Sequence, residues 1–379
     1  MRFFHLADLH LGKRVNGFSM LEDQRYILKQ ILELAEEEKP KGVLIAGDVY
    51  DKPIPPAEAV ELFDWFLVEL SKLGTEVFVI AGNHDSAERL SFGSRLMDLR
   101  GVHVAPVYDG TVSCCKLQDE YGSVAIYLLP FLKPVHVRHI WPDAVVQSYT
   151  NAVQTAVSAI SVDLSVRNIL VTHQFVTGSM QCDSEELSVG GSDHVDAEVF
   201  EAFDYVALGH LHSPQNVGRE TLRYAGSPLK YSFSEVKHHK SVTVVELAEK
   251  GTVTIRTLPL NPMRDMAELR GTYEELTLRE NVLRDGYQQD YVHITLTDEE
   301  DVLHAAGRLQ VIYPWLMKLD YDNRRTSLAG TELYTEQPED QSPEDLVSAF
   351  YEMQNGVKMN EDQYSYLRQI MTEIWEGEE

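Results

Sequence analysis

Short apolar runs alternate with helical patterns along roughly the first 210 residues of the chain. The runs typical of buried strands are Val43–Ala46, Val77–Ile80, Ile169–Val171 and Tyr205–Leu208. Residues 20–38 and 57–73 carry apolar side chains at helical spacing, and Pro40 and Gly74 end these two patterns. Because strands alternate with helices, this part of the chain predicts an α/β fold.

The pattern changes after this region and divides the chain into further parts. Residues 213–258 read as strands and hairpins that complete a first domain, 1–260. Residues 265–335, in which Tyr291–Leu296 alternates as a strand should, predict a small mixed α/β domain. A polar linker then separates this domain from a helical tail, 342–379.

The tail carries two helix signatures. Ser342 can cap a first helix with Pro343 at its first position. Asn360, with Gln363 three residues later, resembles a second cap. Each predicted helix has one apolar face, which must be buried against another surface. Two alternatives remain open: the helices fold back on the chain, or they dock on a partner.

The predicted helix at 57–73 has an unusually wide apolar face. Val60, Phe63, Phe66 and Val68 point in several directions around it. A face this wide indicates burial on more than one side. It is explained either by packing under the rest of the domain or by a contact in a homodimer.

Composition and charge restrict the class of protein. The chain is 44% hydrophobic and 25% charged, as in ordinary globular proteins. No apolar stretch approaches the roughly 20 residues that span a bilayer, and no signal peptide is recognised. Three cysteines, two of them adjacent, do not form a disulfide framework and fit a reducing cytoplasm. A net charge of −27 argues against a chain that grips nucleic acid by itself.

Polar residues with metal-binding chemistry follow the predicted strands. Carboxylate, amide and imidazole donors recur in this set, which consists of Asp8, His10, Asp48, Asn83, His173, His210 and His212. No cysteine joins them, so the set favours Mn²⁺, Fe²⁺ or Zn²⁺ over a structural thiolate site. We expect Asp8 and His10 to share one side of a strand, as residues two apart do. Two metals held together can clamp a phosphate ester, so the sequence predicts phosphoester hydrolysis.

Longer motifs around these residues carry a family resemblance. The segments Phe4–Gly12, Gly47–Asp51, Gly82–Ser86, Leu208–His212 and Tyr224–Glu235 resemble the calcineurin-like metallophosphoesterases. Within that superfamily they are most similar to the SbcD family of bacterial nuclease subunits. The resemblance is strong over most of residues 1–258. It implies a β-sandwich flanked by helices, a small α/β cap domain and C-terminal helices.

The resemblance also implies roles for the candidate residues. Asp8, His10 and His212 would bind one metal, with Asp48 between the two ions. Asn83, His173 and His210 would bind the other, and Mn²⁺ is the expected metal. His84 would be the catalytic histidine, which steadies the phosphate or protonates the leaving oxygen. Asp51 would orient His84, unless it only caps the following turn.

The family supplies expectations about substrate and partners. The activities implied are a 3′–5′ exonuclease on double strands and an endonuclease on single strands and hairpins, in DNA repair, recombination and replication. Lys13, Arg14, Asn16 and Arg89 flank ligand loops and are candidate DNA contacts, or else ordinary surface residues. No nucleotide-binding Gly-x-x-x-x-Gly-Lys-Ser/Thr motif occurs, so ATP would be used by the SbcC partner, in a heterotetramer. The tail would hold the SbcC coiled coil, and the cap domain would restrict DNA access.

Two other functions remain open at this point. The same fold serves phosphatases and cyclic-nucleotide phosphodiesterases. Protein phosphatases of this fold are expected to carry Gly-Asn-His-Glu, whereas this chain has Gly82-Asn83-His84-Asp85. A catalytically inactive scaffold that presents its tail to a partner is the second alternative, and the complete ligand set argues against it.

Overall fold

The computed structural model describes residues 1–180, 193–300, 302–323, 347–348, 350–352 and 357–376. The chain divides into two compact units, Met1–Asp265 and Met266–Glu379. The polar linker and the first tail helix, predicted to begin at Ser342, lie largely outside the described residues. The cap and docking roles of the predicted domains therefore stay predictions.

The first unit contains most of the strands and helices. Its strands in chain order are Arg2–Leu6 (β1), Arg14–Val15 (β2), Phe18–Ser19 (β3), Gly42–Ala46 (β4), Glu76–Ile80 (β5), Val102–Val104 (β6), Ser113–Asp119 (β7), Gly122–Leu129 (β8), Arg167–His173 (β9), Phe175–Val176 (β10), His194–Val195 (β11), Tyr205–Gly209 (β12), Gln215–Val217 (β13), Arg219–Tyr224 (β14), Ser241–Leu247 (β15) and Val253–Pro259 (β16). Its α-helices are Leu21–Glu38 (α1), Ala57–Lys72 (α2), Ala87–Leu90 (α3), Ser94–Asp98 (α4), Pro134–Ile140 (α5) and Tyr149–Ser158 (α6), with 3₁₀ turns at Ala197–Phe200 and Phe233–Glu235.

Two large mixed sheets form the core of this unit. Within the described residues, the first has the strand order β16-β15-β1-β4-β5-β6 and the second has the order β13-β14-β12-β9-β8-β7. The central strands of each are parallel, and the pairs β1–β15, β15–β16, β7–β8 and β13–β14 are antiparallel. The apolar runs recognised in the sequence lie in β4, β5, β9 and β12, so their prediction as buried strands is confirmed.

The sheets face each other across a shared apolar core. Phe3, Leu44 and Phe78 of the first sheet belong to the same buried cluster as Ile126 and Ile169 of the second. The opposite face of the second sheet packs on α5 and α6, and α2 contacts β5 of the first sheet. The predicted β-sandwich flanked by helices is therefore confirmed.

Packing within its own domain accounts for most of the wide apolar face of helix α2. Leu62, Phe66 and Leu70 are at most 1% exposed, and Phe63 is also buried. Val60 and Val68 stay 44% and 43% exposed on the other side. Most of the apolar face therefore belongs to the core of this unit, as the first of the two alternatives expected.

The second unit has a small core of its own. Its strands, Met266–Gly271 (β17), Tyr291–Leu296 (β18) and Leu316–Tyr321 (β19), form a parallel sheet covered by the helices Tyr273–Thr277 (α7), Arg279–Asp285 (α8) and Ala305–Gln310 (α9). The tail helix Glu361–Glu376 follows, and a 3₁₀ turn spans Tyr287–Gln289. No helix in the described part of the chain is long and apolar enough to cross a membrane.

The tail helix begins as the sequence predicted. Asn360 Oδ1 accepts a hydrogen bond from Gln363 N, and Gln363 Oε1 accepts one from Asn360 N, both at 2.9 Å. This reciprocal pair satisfies two of the N–H groups that a helix start leaves without intrahelical partners. Gln363 Nε2 also donates to the hydroxyl of Tyr351 at 2.8 Å.

A charged cluster stabilises the edge of the first sheet. His103 on β6 contacts Glu76 at 2.8 Å and Asp98 at 2.5 Å. A hydrogen bond to the Cys115 side chain, together with the two carboxylates, outweighs burial and raises the pKa of His103 to about 10. We therefore expect this ring to be positively charged at neutral pH.

Candidate metal centre

The candidate ligands lie at the carboxyl ends of strands from both sheets. In the first sheet, Asp8 and His10 follow β1, Asp48 follows β4, and Asn83 follows β5. In the second sheet, His173 is the last residue of β9, and His210 and His212 follow β12. The parallel strands of an α/β sheet present their carboxyl ends at one edge, where ligand loops cluster. Residues far apart in the sequence therefore meet in one place.

The ligand loops adopt an uncommon backbone conformation. Asp8, His10 and Asp48 have φ values of 55°, 45° and 49°, and His210 has 109°. Non-glycine residues seldom adopt positive φ, and such strain is characteristic of functional sites. The expectation that Asp8 and His10 share one side of a strand was therefore wrong, because β1 ends at Leu6 and both residues lie beyond it with positive φ.

The first group of donors consists of Asp8, His10 and His212. One ligand atom of each lies within 4.8 Å of the others, and all three residues are buried. His10 Nε2 and His212 Nε2 are 3.1 Å apart. Two nitrogens bound at right angles to one cation would be about 2.9 Å apart, given metal–nitrogen bonds of about 2.05 Å. The spacing of the two rings thus suits a shared ion.

The second group surrounds the amide oxygen of Asn83. His173 Nε2 lies 2.9 Å from this Oδ1, and His210 Nδ1 lies 3.1 Å from it. Asp48 Oδ2 is 3.4 Å from His173 Nε2 and 3.7 Å from His10 Nε2, so Asp48 lies between the two groups. The structure brings all seven predicted ligands together, and their assignment to individual ions stays a prediction.

Burial and charge prepare the rings for metal binding. Burial lowers the pKa of His10 well below its ordinary value and that of His210 to about 3, so both are neutral donors at pH 7. Burial would also lower the pKa of His173, but the Asp48 carboxylate outweighs it and raises this pKa to about 9. Burial would raise the pKa of Asp48, yet the neighbouring histidines, His173 first, hold it well below its usual range. A metal ligand must be deprotonated, so a cation here would displace the proton from His173.

The donor chemistry fits divalent cations. The set combines oxygen donors from two carboxylates and one amide with imidazole nitrogens, and both carboxylates and all four imidazoles are buried. A mixed oxygen and nitrogen set without sulfur suits divalent ions of intermediate softness. A pair of ions would also compensate the two buried carboxylates, which are costly to bury without a counter-charge.

Glycines let the ligand loops approach each other closely. A Cβ on Gly209 would lie 1.8 Å from the carbonyl oxygen of Ala46, which accepts a hydrogen bond from His173 Nδ1. A Cβ on Gly82 would lie 2.1 Å from Asp48 Oδ1. The loops therefore touch through backbone atoms, and only glycine leaves the space that this contact needs.

His84 lies beside the candidate ligands, and its contact with Asp51 differs from the carboxylate–imidazole pairing that was expected. His84 Nε2 is 3.9 Å from Asp48 Oδ2, and Nδ1 is 3.1 Å from the backbone carbonyl of Asp51. The Asp51 carboxylate instead binds the ammonium of Lys13 at 2.7 Å. The main-chain carbonyl of Asp51, rather than its carboxylate, therefore faces His84, and the orienting role of Asp51 stays a prediction.

The candidate DNA contacts differ in their surroundings. Lys13 is 16% exposed and already paired with Asp51. Arg14 and Asn16 are exposed on the hairpin formed by β2 and β3, where the Arg14 guanidinium donates to the carbonyl of Gly17. Arg89 is exposed on the short helix α3, next to the Asn83 loop. Three of the four side chains are thus accessible from solvent.

Asp85 is a supporting residue to which the sequence assigned no role. Its carboxylate accepts hydrogen bonds from the backbone N–H groups of Val49, Tyr50 and Gly82 at 2.9–3.0 Å. Burial, followed by the charge of Asp48, raises the pKa of Asp85 to about 6. The bonds tie the Asp48 loop to the Asn83 loop. Its place in the Gly82–Ser86 motif was the available signal.

Gln24 and Tyr231 support the loop of His10. Gln24 Nε2 donates to the carbonyl of His10 at 2.7 Å, and Gln24 Oε1 accepts from Gly12 N at 3.0 Å. The Tyr231 hydroxyl donates to the carbonyl of Leu9 at 2.5 Å. Both side chains are buried, so they fix the strained backbone around His10. The Gln24 signal is a polar residue within the apolar face of α1.

Glu235 and Lys240 form a fully buried ion pair next to His212. Lys240 Nζ lies 2.5 Å from Glu235 Oε2, and Glu235 Oε1 lies 3.4 Å from His212 Nδ1. Burial would raise the pKa of Glu235, but the charge of Lys240 and the hydrogen bond from His212 hold it well below its usual range. Glu235 ends the segment Tyr224–Glu235, in which the sequence indicated a resemblance but no chemical role.

The fold and donor set define a class of protein. A family model described as calcineurin-like phosphoesterase matches residues 1–214, and the chain belongs to this family. A second model, described as the type 5 capsule protein repressor C-terminal domain, matches residues 262–355. A solved structure of a dimetal phosphatase from Danio rerio is similar to 69% of this chain and 98% of its own, at 13% identity and a TM-score of 0.40.

Curated relatives narrow the class. The SbcD component of the nuclease SbcCD from Staphylococcus epidermidis is 33% identical over 84% of this chain and 85% of its own length. The component of the same name from Staphylococcus saprophyticus is 30% identical over 99% of both chains. Within the calcineurin-like phosphoesterases, the chain therefore belongs to the SbcD family, and the resemblance recognised in the sequence is confirmed.

Proposed function

We propose that this chain is the nuclease subunit of an SbcCD complex and hydrolyses phosphodiester bonds of DNA at two divalent metal ions. The observation that carries the proposal is the convergence of seven oxygen and nitrogen donors from both sheets, with His84 beside them. We propose Mn²⁺ as the metal, since mixed carboxylate and imidazole sites accept it. The products we expect are those of a 3′–5′ exonuclease on duplex DNA and an endonuclease on single strands and hairpins.

The chain's own residues have separate tasks in this reaction. Two bound ions would supply Lewis-acid chemistry, by polarising the phosphate and activating water for in-line attack. Asp48 keeps the two donor groups at a fixed separation, because its loop is bound to the Asn83 loop through Asp85 and through the bond from His84 N to Asp48 Oδ1. This fixed arrangement is what holds a phosphate in a reactive position.

His84 is placed to transfer a proton. Its Nδ1 faces the carbonyl of Asp51, which can only accept, so Nδ1 carries a hydrogen in either charge state. Its Nε2 faces Asp48 and the donor groups, and the ring is 13% exposed. When both nitrogens are protonated, Nε2–H can donate to the phosphate or to the leaving oxygen.

The acidic chain needs help to hold DNA. At a net charge of −27, phosphate contacts from this chain alone would be weak. We propose that SbcC supplies most of the DNA grip and the ATP chemistry. The exposed Tyr366 and Ile370 on the tail helix support docking of this helix on a partner. Arg14, Asn16 and Arg89 would add local contacts to the backbone of the DNA.

We also propose a homodimer within the complex. Phe92, Leu96 and Leu99 are 86%, 75% and 79% exposed and lie in and around α4. Large exposed apolar side chains grouped in one segment indicate an interface. We expect Leu96→Asp to convert a dimer to a monomer in analytical ultracentrifugation. The matched control is Val311→Asp, which alters a residue that is equally exposed in the second unit.

The test of the proposed function is cleavage of end-labelled duplex and hairpin DNA with Mn²⁺, with and without the ATPase partner. We expect cleavage that requires metal and increases with the partner and ATP. The His84→Ala protein should lose at least about 10²-fold in turnover, as general acids contribute. His84 could also form a donor group with His10 and Asp48. We expect the variant to retain the metal content of the unaltered protein, because the other seven donors suffice for two ions.

The control variant is His304→Asn, which removes an exposed ring in the second unit and keeps a residue type that tolerates the positive φ at this position. It should cleave DNA at the normal rate. If DNA stays intact under every condition while bis-p-nitrophenyl phosphate is hydrolysed, the substrate belongs to the small-molecule phosphodiesterases and the nuclease proposal is wrong. Loss of metal from the His84→Ala protein would contradict the role proposed for this histidine.

A further inference from the structure

His212 lies between the metal centre and a buried carboxylate. Its Nε2 faces His10 Nε2 at 3.1 Å, on the side of the donor group. Its Nδ1 faces Glu235 Oε1 at 3.4 Å, on the opposite side of the ring. The two nitrogens therefore have different neighbours, and the neighbour of one determines the chemistry of the other.

A carboxylate next to one ring nitrogen selects the tautomer. An ionised carboxylate only accepts hydrogen bonds, so it favours a hydrogen on the nitrogen that faces it. With the hydrogen on Nδ1, the lone pair of His212 is at Nε2, where a cation would bind. Carboxylates beside metal-ligating histidines generally act in this way and also make the ligand more basic.

The carboxylate is itself held rigidly. Glu235 Oε1 accepts a hydrogen bond from Tyr231 N at 3.2 Å, and Oε2 pairs with Lys240 Nζ at 2.5 Å. The ammonium also donates to Ser227 Oγ and to the backbone carbonyl of His212, both at 2.8 Å. An ammonium has three donors, and each has a partner here. One buried ion pair thus holds both the ring and the backbone of His212.

We infer that Glu235 is a positioning residue of the metal centre: with Lys240, it fixes His212 in the tautomer and orientation that bind a cation through Nε2. This inference rests on the proposed function only as far as the metal centre, and it makes no assumption about the substrate. It gives a role to a residue that lies 23 positions after the ligand it supports.

The first test uses the unaltered protein. In protein labelled with ¹⁵N at histidine and free of metal, the His212 signals are assigned by comparison with a His212→Gln variant. We expect the ¹⁵N chemical shifts of a ring that carries a hydrogen at Nδ1 and none at Nε2. A ring protonated at Nε2 alone would overturn the inference, and this result does not depend on whether any Glu235 variant folds.

The second test is Glu235→Gln, which keeps the size of the side chain. The charged ammonium of Lys240 can only donate and attracts the Gln oxygen more strongly than the neutral N–H of Tyr231 does. We therefore expect the amide NH₂ to face His212 Nδ1, with loss of the bond from Tyr231 N. Nδ1 then becomes an acceptor, and the hydrogen moves to the nitrogen that should bind metal. We expect one Mn²⁺ site to lose about 10- to 100-fold in affinity by calorimetry, together with a reversed tautomer in the NMR spectrum.

The matched control is Asp119→Asn, which removes the partner of another buried cation, Arg167, in the same unit. A merely structural role of Glu235 would lower the melting temperature of both variants and leave both Mn²⁺ affinities unchanged. That outcome would contradict the inference, and so would an equal loss of Mn²⁺ affinity in both variants, because it would trace the loss to folding alone. If Mn²⁺ binding depends on Glu235 but DNA is never cleaved, the inference stands and the proposed nuclease function fails.

Discussion

Substitution of Gly209 by Ala tests whether the contact between the sheets determines the geometry of the metal centre. Gly209 ends β12 and has an ordinary φ, so alanine introduces no backbone strain and changes only the space. Its Cβ would lie 1.8 Å from the carbonyl oxygen of Ala46, at the end of β4. The obstacle is backbone, and it cannot rotate away as a flexible side chain could.

The displacement follows from the geometry. A Cβ does not approach another heavy atom closer than 3.0 Å, so the ends of β4 and β12 must separate by about 1.2 Å. The Ala46 carbonyl accepts from His173 Nδ1 at 2.8 Å, and His210 directly follows the substituted residue. Both rings around Asn83 therefore move. A shift of about 1 Å in a catalytic arrangement lowers turnover by about 10²-fold.

The assay is hydrolysis of bis-p-nitrophenyl phosphate against Mn²⁺ concentration, with a thermal melt of each protein. We expect Gly209→Ala to lose about 10²-fold in kcat and to need more Mn²⁺ for half-maximal rate. Gly307→Ala is the control, since its Cβ meets nothing within 4 Å and alanine favours its helix. Activity within about threefold of normal for Gly209→Ala would refute the argument that loop spacing sets the ligand geometry.

Three further perturbations have defined outcomes. Asp85→Asn weakens three charged hydrogen bonds between the ligand loops, so the free energy of unfolding should fall by about 2–4 kcal/mol in urea, with weaker metal binding; an unchanged urea midpoint would contradict this. Gln24→Met leaves the buried carbonyl of His10 without its donor, so it should lower the unfolding free energy by about 1–3 kcal/mol and reduce Mn²⁺ affinity. An unchanged Mn²⁺ affinity would show that the His10 loop keeps its conformation without Gln24. Because the pKa of His103 is raised to about 10 in the folded state, its charged ring stabilises the fold fully below pH 6.5 and less as the pH rises through about 10. The difference in unfolding free energy between the normal protein and His103→Asn should therefore shrink over that range. A constant difference would exclude the charged ring as its source.

The fold was largely predictable because local pattern and global structure agree. The buried strands are continuous apolar runs, α1 and α2 end within a residue or two of the predicted positions, and Asn360 with Gln363 forms the expected cap. The antiparallel pair β7–β8 was not predicted. Its outer strand alternates between partly buried and exposed side chains and includes Lys116, so its apolar signal is weak.

The convergence of the candidate ligands was predictable, but the residues that contact and support them were not. Asp8, His10 and the other donors follow strands directly, and strand ends can be recognised from apolar runs. Glu235 and Gln24 act through contacts with residues 23 and 14 positions away in sequence, which no local pattern encodes. Asp51 shows the same limit, because the competing ammonium of Lys13 became visible only in three dimensions.

The pairing of β1 with β15 has a consequence for how the protein is made. The strand formed by residues 2–6 is completed on one side by residues 241–247, and the donors run from position 8 to position 212. A ribosome adds roughly 5–20 residues per second, so on the order of ten seconds or more pass between the synthesis of the first donor residue and that of the last. A partly synthesised chain therefore lacks part of the candidate donor set until residue 212 has been added. The order of synthesis itself keeps a nuclease inactive until its large domain is complete.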